Sequence, residues 1–289
     1  MKPSRSEFHT IRGLRYHVRM WGEPQHPRIF LLHGWMDVSA SFQFLVDCFA
    51  HDWHVVAPDW RGFGLTEWAR EGYWFPDYYA DLDALLDLYQ RDGAVNLVGH
   101  SMGGNIVGTY AGLRPGRIAR VASLEGLGMA RTKPDTAPRK LVQWLDAQHE
   151  PPQFKPYTSF DEVAQRLQRN NPHLQDAQAQ FLAPHWAHET AGGGIRLRSD
   201  PRHKSPNPYL FRIDEALAIW RCATAPLLLV NGKDSHIPGW LKDDPQQIAE
   251  RKAAFRNLRE VDLEDCGHMM HYDQPARLAA VLEQFLTQP

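Results

Sequence analysis

Two kinds of apolar spacing alternate along this chain. Apolar runs of strand length recur at Arg28 to His33, Trp53 to Ala57, Val95 to Val98, Ile118 to Leu124, Ala225 to Val230 and Leu258 to Leu263. The first, RIFLLH, has no polar residue at every second place, as a strand buried on both faces requires. Between the runs, apolar residues recur three and four apart: Phe42, Leu45 and Phe49; Leu82, Leu85, Leu86 and Tyr89; Ile106, Val107, Tyr110 and Ala111; Leu278, Val281, Leu282 and Phe285. That spacing lays them along one face of a helix. Ser39 or Ser41 is placed to cap the first helix, Asp77 precedes the second, Asp244-Pro245 opens another and Pro275 starts the last. Phe8 to Ile11 and Leu14 to Trp21 read as a hairpin turned at Gly13. Strands and helices alternating over short connections predict an α/β fold, a mostly parallel sheet covered on both faces, with an antiparallel pair at its start.

The rhythm breaks between Ala130 and Ala216. This stretch holds ten of the 21 prolines and little that reads as a buried strand, but its helices are legible. Leu141, Trp144 and Leu145 share a face, Ser159-x-x-Glu162 is a capping box ahead of Val163 and Leu167, and Leu174, Phe181 and Leu182 mark a third helix. The expected organisation is a sheet domain, 1–129 and 217–289, carrying an inserted helical cap, 130–216.

Composition narrows the chemistry. A chain of 289 residues buries a large core, and a net charge of −2 leaves no basic excess for nucleic acid or an anionic membrane, so small or uncharged substrates are expected. Cys48, Cys222 and Cys266 show no C-x-x-C spacing and are expected as buried reduced thiols. The start, MKPSRSEFH, has no apolar leader-like core and no run reaches membrane-spanning length, so a cytoplasmic location is expected. Oligomeric state is not readable.

The strand at Val95 runs into Gly99-His100-Ser101-Met102-Gly103 and then directly into a helical pattern. A serine in such a turn sits in a strained conformation with its hydroxyl clear of the sheet, and a Cβ at Gly99 or Gly103 would strike the neighbouring strand or helix. The unpaired N–H groups and positive dipole end of the helix beyond it lie beside the hydroxyl. This segment resembles the nucleophile elbow, G-x-S-x-G, of the α/β-hydrolase family. The likeness extends over nearly the whole chain outside the cap, through His33-Gly34-Trp35, Asp59-x-Arg61-Gly62-x-Gly64, Gly232-Lys233-Asp234 and Gly267-His268-Met269.

The resemblance implies a serine nucleophile, Ser101, whose proton passes to a histidine held by a carboxylate, in the family's chain order of serine, acid, histidine. Asp234, after the strand ending at Val230, and His268, after the last strand, fall where the family places them. Glu125 is the alternative acid, because it too ends a strand. His271 competes with His268 and is otherwise a wall or solvated residue. The H-G-W stretch is similar to the family's oxyanion loop, which implies backbone N–H donors from Trp35 and Met102, the Trp35 ring walling the acyl pocket. The D-x-R-G-x-G turn is structural, and Asp37 and Asp59 are read as loop-shaping residues. His185-x-x-His188 lacks a third ligand at a known spacing, and Gly192-Gly193-Gly194 is a flexible connection with no phosphate-cradle context. No metal or cofactor is expected.

A serine in the elbow is similar to carboxylesterases and serine hydrolase-like proteins within the family. The likeness implies as substrate an ester or related acyl compound with an apolar part, cleaved through an acyl-enzyme beneath an aromatic-rich cap. The same residues would serve a thioesterase or a C–C bond hydrolase, and a non-catalytic ligand receptor on this fold is the reading from outside enzymology.

Overall fold

The computed structural model describes residues 1–288. The chain opens with strands β1 (Ser4–Ile11) and β2 (Leu14–Trp21), paired antiparallel around Arg12 and Gly13, whose φ values of 46° and 82° make the tight primed turn of a two-residue hairpin. Next come β3 (Arg28–Leu32), α1 (Gln43–Cys48), β4 (His54–Pro58), α2 (Phe75–Tyr89), β5 (Val95–His100), α3 (Met102–Leu113) and β6 (Ile118–Leu124). The stretch after β6 holds α4 (Ala137–His149), α5 (Phe160–Asn170), α6 (Asp176–Trp186), β7 (Ala187–Glu189) and β8 (Ile195–Leu197). The chain then returns through α7 (Ile213–Trp220), β9 (Leu227–Gly232), α8 (Ile237–Leu241), α9 (Pro245–Ala253), β10 (Leu258–Leu263), α10 (Met270–Asp273) and α11 (Pro275–Leu286).

Eight strands form one sheet in the order β1-β2-β4-β3-β5-β6-β9-β10. β2 is antiparallel to both of its neighbours, and from β4 onward every pair is parallel. The unbroken apolar run of β3 explains its place inside the sheet. Phe30 and Leu32 join the core beneath α2 and α3, while Ile29 and Leu31 join the opposite core, which α1 and α11 cover. A strand with two apolar faces is stable only when both are roofed, and each large side chain so buried contributes roughly 1.5–3 kcal/mol.

Several local expectations are corrected. Neither Ser39 nor Ser41 caps α1, because a short 3₁₀ turn, Ser39–Phe42, precedes it and the Ser41 hydroxyl turns back to donate to Asp37 Oδ2 at 2.9 Å and the Val38 carbonyl at 2.8 Å. Ser159 caps α5 by accepting the Glu162 N–H, but the Glu162 carboxylate reaches one residue further back, to Thr158, so only half of the expected capping box forms. The unforeseen hairpin β7–β8 is closed by Gly192-Gly193-Gly194, with the Thr190 N–H donating to Gly194 O at 3.0 Å. The expected boundary at 216 falls inside α7, which packs on α3. Cys48 and Cys222 are exposed and only Cys266 is buried, all three with free thiols.

Candidate active site

The elbow is tight because two glycines admit it. A Cβ on Gly99 would lie 2.2 Å from the Gly103 carbonyl oxygen, and one on Gly103 would lie 2.0 Å from that of Leu32. Between them Ser101 adopts φ 52° and ψ −111°, a conformation that costs of order 1–3 kcal/mol and persists only where the surroundings fix it. The fixing contacts are its N–H to Leu124 O at 2.8 Å and its carbonyl, which accepts from Asn105 at 2.9 Å. Met102 is the first residue of α3, so its N–H has no acceptor within the helix. The His33-Gly34-Trp35 loop passes close by, since a Cβ on Gly34 would come within 3.2 Å of Ser101 Cβ.

His268 stands on the loop after β10, and its Nδ1 lies 2.5 Å from Glu125 Oε2. Asp234, the acid expected first, is not its partner. Glu125 leaves β6 at φ 55°, with its backbone N–H bonded to Val230 O at 3.0 Å, and is buried beside the histidine. Its Oε1 accepts the Gly232 N–H at 2.9 Å and its Oε2 also accepts the Ser235 hydroxyl at 2.7 Å. The turn after β9 closes through Ser235 N–H to Gly232 O at 3.1 Å, which presents a backbone N–H and a hydroxyl to Glu125 and leaves the Asp234 carboxylate exposed. Sequence reasoning misses Gly232 and Ser235, because their part depends on the adjacency of β6 and β9 and no local spacing announces it. These three contacts fix the Glu125 carboxylate in place beside His268.

Ser101, Met102, Trp35, Glu125 and His268 border one cavity of about 790 Å³. Part of its wall is aromatic, with Tyr73, Trp74 and Phe75 from the entry to α2, Trp144 from α4 and Trp240 from α8. Trp74 and Trp144 meet with ring centroids 6.1 Å apart across the opening. His203, also on the wall, is stacked between Phe63 at 3.8 Å and Tyr73 at 3.6 Å. Burial there pushes its pKa down to about 3.

Other expected residues have structural work. Asp59 accepts from Ser39 N–H at 2.7 Å, Leu65 N–H at 2.9 Å and His17 at 2.7 Å, as a loop-shaping carboxylate does. Arg61 is held bidentately by Asp81 at 2.5 and 2.6 Å. His185 ends α6 and His188 lies in β7, so the pair does not share a helix face. His271 is neither wall nor solvated: it is wholly buried, and neither ring nitrogen has a hydrogen-bond partner among the described residues.

The sheet order, the elbow and the histidine–carboxylate pair at its edge define a hydrolase architecture, and sequence comparison agrees. A family model for the alpha/beta hydrolase fold matches residues 27–275, and the chain belongs to that family. A serine hydrolase-like protein from Danio rerio is 30% identical, covering 99% of this chain and 90% of its own length. A 3-hydroxybutyrate-oligomer hydrolase from Cupriavidus necator is 29% identical over 96% of this chain and 94% of its own. Among solved structures, the thioesterase domain from the curacin biosynthetic pathway superposes with a TM-score of 0.86 at 25% identity, covering 98% of this chain and 99% of that one. Within the described residues no helix is long and apolar enough to cross a membrane.

Proposed function

We propose that this hydrolase cleaves a carboxylic ester or closely related acyl compound with a largely apolar part, through Ser101, His268 and Glu125. The observation that carries the reading is the 2.5 Å contact between His268 Nδ1 and Glu125, at the edge of the cavity that Ser101 lines. With Nδ1–H donated to Glu125, the neutral imidazole keeps its Nε2 lone pair for the Ser101 proton. The serine oxygen then attacks the acyl carbonyl, whose oxygen gathers charge beside the N–H groups of Trp35 and Met102, each such donor worth about 2.7–4 kcal/mol of barrier. The imidazolium protonates the leaving alcohol, and water activated by the same nitrogen releases the acid. Glu125 stabilises the imidazolium in both halves.

The aromatic wall supports an apolar acyl or alcohol group of moderate size. The hydroxybutyrate-oligomer hydrolase and the thioesterase domain, both named for acyl bonds, support the same bond class. The test is a panel of p-nitrophenyl esters and acyl thioesters of increasing chain length, run with wild type and Ser101→Ala. Multiple turnovers by wild type that vanish in the variant are expected. Wild-type protein that binds these compounds without turning them over would sink the proposal in favour of a receptor.

A further inference from the structure

Beside the elbow, outside the cavity lining, three buried groups face one another, and the two imidazoles among them carry nitrogens without a hydrogen-bond partner. Asp37 comes from the loop after β3, His100 from the last residue of β5 and His271 from α10, and each offers a ligand atom within 4.8 Å of the others. All three are at least 98% buried. His100 donates from Nε2 to the His268 carbonyl at 2.8 Å, which leaves Nδ1 as a lone pair with no donor. His271 Nδ1 has no partner among the described residues, and its Nε2 has only the Asp37 carboxylate, at 3.5 Å from Oδ2, beyond good hydrogen-bond geometry. His33, close by, is different: its Nδ1 is 2.7 Å from Gly34 O and its Nε2 accepts the Trp60 N–H at 2.9 Å, so it has nothing to offer.

Unpaired buried imidazoles cost free energy unless something fills the space between them. We infer that Asp37, His100 and His271 form a binding site for a divalent cation of the Zn²⁺ class. Two imidazoles and a carboxylate suit such an ion, with water in a fourth position. Ligand atoms about 2.0–2.1 Å from a tetrahedral ion stand roughly 3.3 Å apart, close to the spacing already present between His271 and Asp37. The outer contacts fit as well. His100 uses its other nitrogen on a carbonyl, the arrangement that fixes a metal-binding tautomer, and Asp37 is held by the Tyr272 hydroxyl at 3.1 Å and the Ser41 hydroxyl at 2.9 Å. Burial and the neighbouring histidines keep His100 neutral well below its ordinary range. An ion here would staple together the three loops that carry Trp35, Ser101 and His268.

Chelator-stripped full-length protein titrated with Co²⁺ tests this without any assay of hydrolysis. One equivalent should bind with the visible absorption of a four-coordinate ion, X-ray absorption should read two imidazoles with oxygen donors and no sulfur, and Tm should rise with the logarithm of free metal. Asp37→Asn and His271→Gln should weaken binding at least about a hundred-fold, beyond what a lost outer contact costs. The double variant His236→Gln/His268→Gln, which removes two of the three imidazoles lining the cavity and leaves only His203, stacked between two rings, should retain it. Binding that survives His271→Gln, disappears in the double variant, or shows six-coordinate or sulfur-ligated cobalt in wild type overturns the inference, as does the absence of a stoichiometric site. If a ligand variant fails to fold, the double variant and the wild-type spectra together still decide, because binding lost with His236 and His268, or a wild-type ion without two imidazole donors, overturns the inference.

Discussion

The elbow that joins β5 to α3 and the helix α4 border the same cavity from opposite sides, and their packing differs sharply. Leu97 and Val98 of β5 are wholly buried, whereas Leu141, Val142 and Leu145 of α4 are 45%, 55% and 52% exposed, and no residue of α4 is buried. Both segments announce themselves by apolar spacing. The β5 spacing is answered by layers on both faces of the sheet, while α4 has mainly Trp144 to seat it, against Trp74. The groups that would do chemistry therefore hang from the rigid part, and the wall that would select substrates belongs to the loosely held part.

Substitutions can sharpen or break that contrast. On the rigid side, Ser101→Ala should lower kcat by about 10⁴–10⁶-fold without moving Tm, read from ester turnover and a thermal melt. Glu125→Gln should lower kcat by about 10³–10⁴-fold, whereas Asp234→Asn should stay within about two-fold of wild type, and a reversed result would return the acid's role to Asp234. Leu97→Ala should cost about 2–5 kcal/mol in urea unfolding, because the sheet cannot collapse onto the cavity it leaves.

The pH dependence of stability tests the wall between the two regions. The unfolded chain takes up a proton at His203 near pH 6.5, but in the folded protein burial between Phe63 and Tyr73 delays this to about 3. The unfolded state thus binds more protons in that interval. The contribution from a neutral His203 is complete above pH 6.5 and is lost progressively as pH falls toward 3. His203→Gln should show a smaller loss of unfolding free energy between pH 7 and 5 than wild type. The mildest effects belong to α4. Trp144→Ala should raise KM for bulky acyl substrates by about ten-fold with kcat nearly kept, and Leu145→Ala should change stability by no more than about 0.5 kcal/mol. A large loss of stability from Leu145→Ala would show that α4 is packed after all.

The strands of the sheet and the helices α1, α2, α3 and α11 follow from spacing, because a period of two or 3.6 residues reports which side chains share a face, whereas the short α7, α8 and α10 do not. The elbow is legible for the same local reason, since strand, glycine-flanked serine and helix are contiguous. Asp234 and Glu125 each follow a strand, and only the family resemblance put Asp234 first, since nothing in either segment's own spacing ranks one above the other. The ranking comes from the sheet order, which sets β6 between β5 and β9 and turns Gly232 and Ser235 toward Glu125. His271 misleads in the sequence because the side chains it lies against, Asp37, Phe42 and His100, come from more than 170 positions away in the chain. Local periodicity could determine the elements, but partners drawn from separate strand ends are specified only when the sheet brings those ends together, and that is information only the tertiary structure holds.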